Sequence, residues 1–488
     1  MNAPRADRTA AAEGIVSRAV RIPPPSFRAV VREAAAPRTV WTAPDEAMVV
    51  GSGAAAALTA SGPDRFRRIR ETARALFAAG DVHAGTEAAC PRLFGGFAFH
   101  DDPDGPPDDR DGTTAADHDR TDARSAWSRF PGARFVLPRV QVTDADNGTW
   151  LTVNAVGPDA TPAAVEARLG RERDRLASLA DPGPIADPPG VAARRRTTDI
   201  DDWHAGVNAA VERIRSGELR KVVLAQALEC TLGSELSVAD ALARLGGTYP
   251  DCHRFLVEPD LSKGDPRGAQ DGCAASEKRA KRDAPRTSFF GATPERLVGL
   301  RGRTVETGAL AGTTGRGETP AEDEWLAAEL RNSEKDIHEH ELVAETIREQ
   351  LAPFAAAVST GERRIRRLAT VQHLWTPITA ELDRDEHVLS LVEALHPTPA
   401  VGGLPPELAM ETIRETEPFD RGWYAAPVGW FDAAGNGTFA VALRSAVASG
   451  RTATLFAGVG IVADSDPDRE WDEVQLKYRP ILDELERQ

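Results

Sequence analysis

Three apolar runs follow one another near the C-terminus with only short turns between them: GWYAAPVGWFD at 422–432, GTFAVALRSAVASG at 437–450 and TATLFAGVGIVADS at 452–465. Parallel neighbours need a crossover of a dozen or more residues, whereas antiparallel ones need only a turn. Strand, Gly turn, strand in succession therefore predicts a large antiparallel sheet, with helices packed on its outside. The fold class expected is α+β.

The rest of the chain fits that frame. β-type runs such as GIVSRAVRI, TVWTA, RLFGGFAF and ARFVLPRVQVT alternate with helical ones such as PDRFRRIRETARALFAAG, which predicts an N-terminal α+β lobe over 15–195. Residues 1–14 read as a disordered tail, and DPGPIADPPGVAARR at 181–195 as a linker. The region 196–488 begins with a helix whose capping candidates lie in TTDIDD, and the two regions are expected to form one continuous fold. Two inserts, about 101–125 and 262–288, are too poor in large apolar groups to order themselves and read as solvated loops. The aspartates of the first fit no EF-hand spacing. The second interrupts what would otherwise be a hairpin from FLVEP to SFFGATPERLVGL.

A net charge of −16 argues against nucleic acid or an anionic membrane as the main partner. Cys90, Cys230, Cys252 and Cys273 form no CxxC, so neither a zinc site nor a disulfide framework is indicated. The N-terminus has no apolar h-region and no run of eighteen apolar residues occurs, so a reducing cytoplasm is the expected location.

Charges on the apolar faces of helices mark the candidate chemistry. In NSEKDIHEHELVAETIREQL (332–351), Val343, Ile347 and Leu351 share one side, and Asp336, Glu339 and His340 project within roughly 60° of Val343. Glu334, Glu341 and Glu345 point about 160–180° away, onto the solvated side. A carboxylate on the core side needs a cation or donor to meet it. The final helix supplies a counterpart, because Glu470, Glu473 and Lys477 share one face just after the N-cap region SDPD. Taken alone this is an ordinary solvated Glu/Lys ladder. Two helices that each turn an acid inward are nevertheless a common way to hold a hard cation such as magnesium. Arg220 and Lys221 precede the apolar run VVLAQ, and Glu295 follows a Thr-Pro turn. A lysine and a glutamic acid facing one site can form an acid/base pair.

Eight motifs in order, KVVLAQ, FFGATPERLV, GALAGTTGRG, SEKDIHEHELV, VQHLWTPI, LHPTPAVGGLP, EPFDRGWYAAPVGWFDAAGNGTFAVALRS and FAGVGIVADSDPDREWDEVQLK, cover roughly 203–485. The set resembles the chorismate-utilising enzymes, and within them the isochorismate-forming branch. The resemblance implies antiparallel sheets in a two-lobed sandwich with helices outside, and an isomerase: water attacks C2 of chorismate while the C4 hydroxyl leaves. By matching motifs it implies that Lys221 is the general base and Glu295 the acid that protonates the leaving hydroxyl. Glu339 and Glu473 would hold Mg²⁺ with Glu470 close by, and Asp336 and His340 would orient Glu339. His373, Arg444 and Lys477, with backbone around Gly312, Thr313 and Gly458, would hold the carboxylates and ring hydroxyl. A dianionic substrate in so acidic a chain requires this local positive charge.

Lys221 and Ala400 follow the isochorismate-forming pattern, since amine-forming relatives differ at the first position and salicylate- and amine-forming ones carry Thr at the second. No amidotransferase segment is fused. The alternatives are a salicylate-, aminodeoxychorismate- or anthranilate-type enzyme, or a non-catalytic chorismate-binding paralogue. Gln226, where many relatives have Arg, and Ala426, where Gly is common, depart from the pattern and are expected to alter packing around the ring pocket. The small molecule is the expected partner of a monomer. The product would feed menaquinone, a siderophore or another secondary metabolite.

Overall fold

The computed structural model describes residues 14–101, 126–158, 160–259 and 286–487. The tail up to residue 13 and nearly all of the two inserts lie outside the described residues. Thr287 and Ser288, assigned above to the second insert, belong instead to the strand Thr287–Thr293.

The sheet is where the sequence put it. Pro427–Asp432 pairs antiparallel with Gly437–Val441, and Ser445–Ser449 with Thr452–Ile461. His253–Val257 and Thr287–Thr293 close the interrupted hairpin, also antiparallel. Among the described residues, twenty-one strands join into one hydrogen-bonded network and ten α-helices pack around it. The architecture is α+β with a large antiparallel sheet.

Strands cross the boundary expected near residue 195. Arg38–Thr42 pairs with His253–Val257, and Arg92–Phe97 with Pro427–Asp432. One apolar core includes Phe97, Phe135, Phe289 and Trp430 from both regions. The linker is shorter than expected, because Val191–Arg196 forms an edge strand on Lys221–Leu232.

Two long sequence runs are broken by backbone conformation. Arg444 has φ of 48°, a left-handed conformation costly for a side-chain-bearing residue, and it divides 437–450 into two strands. Gly422 and Ala425, with φ of 51° and 59°, hold 422–426 out of the sheet, so that strand starts only at Pro427. The left-handed residue is Ala425; Ala426 is fully buried without that strain.

Capping in TTDIDD and SDPD follows the sequence, and Ser333 caps a third helix. Asp199 accepts from Asp202 N at 2.8 Å, Ser333 from Asp336 N at 3.2 Å and Asp466 from Arg469 N at 3.1 Å, starting the helices Ile200–Arg215, Glu334–Leu351 and Pro467–Leu482. Trp203 Nε1 donates to Pro467 O at 3.2 Å, which fixes the start of the last helix against the first. No described helix is long and apolar enough to cross a membrane.

Candidate active site

All twelve candidate site residues named from the sequence line one cavity: Lys221, Glu295, Gly312, Thr313, Glu339, His373, Ala400, Arg444, Gly458, Glu470, Glu473 and Lys477. Lys221 opens the strand Lys221–Leu232 and is 1% exposed. Val223 faces the cavity with it, and Gly460 lies opposite Val223 on Thr452–Ile461. A Cβ on Gly460 would lie 2.7 Å from Glu339 Oε1 and 2.9 Å from Lys221 Cε, so only glycine admits both side chains.

The helix wheel holds for the acids. Val343, Ile347, Leu351 and His340 are buried, Asp336 and Glu339 half-buried, and Glu334, Glu341 and Glu345 exposed. His340 does not orient Glu339 as expected: its Nε2 meets Thr376 Oγ1 at 2.7 Å, tying the helix to the sheet. Asp336 lies instead beside Gly312, whose φ of 73° makes a bulge between Ala311 and Thr313. Thr313 Oγ1 meets His373 Nδ1 at 3.1 Å. Burial, reinforced by Arg444 and Lys477, lowers the His373 pKa well below the ordinary range, so the ring is neutral.

Three lysines meet three acids in the cavity. Lys221 Nζ is 2.8 Å from Glu339 Oε1, Lys335 Nζ 3.3 Å from Glu470 Oε1, and Lys477 Nζ 2.6 Å from Glu473 Oε1. Lys477 also donates to Gly458 O at 2.9 Å, so this glycine contributes a carbonyl as well as close approach. Among the described residues, Arg444 is the one cavity-lining cation with no carboxylate partner.

The carboxyl groups differ in state. Burial pushes Glu295 up to about 7, against the pull of Lys221, Lys477 and Arg444. Burial also raises Glu339, but the Lys221 charge and hydrogen bond outweigh it and hold this carboxyl below its ordinary value. Glu470 is raised by burial and by the charge of Glu473, although Lys335 opposes the shift. Glu295 therefore keeps its proton up to about neutrality, and Glu339 is an anion.

Among the described residues, no three metal-binding side chains stand close enough to share an ion as they lie. Each acid is turned onto a lysine. The donor set still fits a hard divalent cation: Glu339, Glu470 and Glu473 are all oxygen donors on one cavity, and magnesium takes one or two carboxylates, completing its shell with water and substrate. The mutual repulsion felt at Glu470 is the strain such a cation relieves.

Tyr424, Arg421, Lys335 and Gly460 also line the cavity and were not singled out from the sequence. Tyr424 and Arg421 lie in the quoted RGWYAAPVG motif, whose Tyr-Ala step turns at the left-handed Ala425. Lys335 sits beside Asp336 and pairs with Glu470 of the last helix. Gln226 is out of phase with Lys221 and Val223 along an alternating strand, so it does not face the cavity. It is 1% exposed, and its amide has no hydrogen-bond partner among the described residues.

The chain matches the chorismate binding enzyme family over residues 3–263 and 281–486. It is 33% identical over 462 residues to isochorismate synthase MenF of Bacillus subtilis, covering 92% of this chain and 88% of that protein. It is 36% identical over 451 residues to the salicylate biosynthesis isochorismate synthase of Pseudomonas aeruginosa, covering 92% and 85%. Among solved structures, MenF, the menaquinone-specific isochorismate synthase from Escherichia coli, superposes with a TM-score of 0.71 at 24% identity over 96% of this chain and 95% of that one. Anthranilate synthase component I from Streptococcus pneumoniae superposes at 0.69 and 19% identity, covering 90% and 92%. These two structural likenesses speak to the fold.

Proposed function

The chain belongs to the chorismate-binding enzymes, and from that premise we propose that it isomerises chorismate to isochorismate. The observation that carries the reading is Glu295, buried and poised near pH 7 on the same cavity as Lys221. Lys221, once its own proton has passed to solvent, takes a proton from a water that adds at C2. The ring double bonds shift and the C4 hydroxyl departs as water with the Glu295 proton. One water enters and one leaves, so the net change is isomerisation. The lysine ammonium and the glutamate then return to their starting states by proton exchange with solvent.

Arg444 supports recognition of a substrate carboxylate, since a buried guanidinium without an internal anion is suited to bidentate pairing. Neutral His373 and the Thr313 hydroxyl offer hydrogen bonds to uncharged oxygens. Glu339 and Glu473, with Glu470, would hold Mg²⁺, which neutralises charge on a substrate carboxylate when bound. The free thiols of Cys90, Cys230 and Cys252 suit a reducing cytoplasm, and the proposal is of a monomer.

Incubation of the purified protein with chorismate and Mg²⁺, with products separated by chromatography and pyruvate assayed enzymatically, tests the reading. Isochorismate without pyruvate is expected. Stoichiometric pyruvate would identify a salicylate-forming enzyme, and binding without turnover a silent paralogue.

A further inference from the structure

One edge of the strand that carries Lys221 is completed by side chains. Gly403–Leu404 pairs with Val222 and Lys221, and Val223 N donates to Gly402 O at 2.8 Å. At the other end Val191–Arg196 pairs from Leu228 onward, and Thr197 N donates to Ala227 O at 3.1 Å. Between them, from Val223 to Gln226, no described strand lies along this edge. An ion pair occupies the gap. Arg421 Nη2 donates to Val223 O at 2.7 Å, and Glu417 Oε1 accepts from Ala225 N at 2.8 Å.

The same guanidinium reaches the neighbouring loop. Its Nη1 donates to Val401 O at 2.8 Å, while Nε and Nη2 bind the two Glu417 oxygens at 2.8 and 2.5 Å. Arg421 is 1% exposed and lies over the Phe99 ring at 4.4 Å. Four of its five N–H donors are committed. Val401 adjoins Ala400, and both line the cavity, as Val223 does. One planar group therefore braces the base-bearing strand against the loop carrying Ala400, just beyond the backbone pairing of Gly403–Leu404.

We propose that Arg421, held by Glu417, is a positioning residue that sets the placement of Lys221 against the substrate ring without itself binding a substrate carboxylate. The inference rests on the chorismate reading above. Its charge is already neutralised by Glu417, and a lysine ammonium cannot reproduce a planar fork that bridges two carbonyls and a carboxylate. Misplacing a base lowers turnover more than it lowers binding.

The test measures chorismate consumption, whatever the product, in Arg421→Lys and Glu417→Gln, with folding checked by circular dichroism and binding stoichiometry by calorimetry. Glu417→Gln keeps an acceptor for Ala225 N and serves if the arginine variant does not fold. The expected result is a fall in kcat of about 30-fold for Arg421→Lys and about 10-fold for Glu417→Gln, with KM within about threefold of the parent and one binding site per chain. A folded Arg421→Lys with kcat within about twofold of the parent overturns the proposal, as does the same result for Glu417→Gln where the arginine variant does not fold. So does a KM raised about tenfold at unchanged kcat, which would make Arg421 a direct ligand of the substrate. A parent protein that consumes chorismate to a product other than isochorismate removes the isomerase reading alone; one that consumes none removes both.

Discussion

Lys221 Nζ lies 2.8 Å from Glu339 Oε1, so the proposed base is paired with a carboxylate of the proposed metal-holding set. The lysine is 1% exposed and the glutamate side chain 13%. Neither charge is free to vary without consequence for the other.

That pairing predicts a double-mutant cycle. Lys221→Met and Glu339→Gln should each cost about 3 kcal/mol in urea unfolding, because removal of one partner leaves the other charge buried. The double variant should cost less than the sum of the two. Lys221→Ala should also abolish turnover while leaving the chorismate Kd within about threefold; retained turnover would remove the base assignment. Because the Glu339 carboxyl is held below its ordinary value, the stability from this pair is present above the unfolded value and is lost as acid protonates the folded carboxyl.

Glu295 predicts the opposite pH dependence. Its folded value of about 7 lies above the ordinary 4.5, so its contribution to stability is fully present below 4.5 and is lost as pH rises through 7. Glu295→Gln should stabilise the protein at pH 8 by about 3 kcal/mol relative to its effect at pH 4.5, the shift of 4.5 to 7 converted at about 1.4 kcal/mol per unit. The same variant should lower kcat by about 10²–10⁴-fold. In the parent protein kcat should decline above pH 7 as the acid ionises; a flat profile to pH 9 would show that this carboxyl supplies no proton.

Arg444 is the cavity cation without an internal partner among the described residues, so its loss should fall on binding. Arg444→Lys should raise KM for chorismate by about 10- to 100-fold with a smaller change in kcat, since a point charge replaces a bidentate fork. Steady-state kinetics decide between this and a purely structural role at the strand break, which would lower the thermal midpoint instead.

For the metal, EDTA should stop chorismate turnover reversibly. Direct Mn²⁺ titration followed by electron paramagnetic resonance should show weaker binding in Glu473→Gln and Glu339→Gln, by about 10-fold or more. Unchanged Mn²⁺ affinity in both would exclude these acids as ligands.

Much of this was legible in the chain. The Gly-punctuated strand runs determined an antiparallel sheet, because short turns permit nothing else. The 3.6-residue period separated Asp336 and Glu339 from Glu334, Glu341 and Glu345, and the aspartates of TTDIDD and SDPD marked where two helices begin. Those are local properties, set within a few residues of where they act. The pairings were decided only by the tertiary structure. The wheel put Glu339 and His340 on one face, but packing turned the first to Lys221 and the second to Thr376. Glu295 gains its high proton affinity from burial that no neighbour in sequence supplies, and Arg444 reaches the cavity through a backbone turn inside an apparently continuous strand. Glu417 meets Ala225 across 192 residues. Such contacts depend on how separate strands and helices stack, and their energies come from desolvation and distance in three dimensions, neither of which residue order encodes directly.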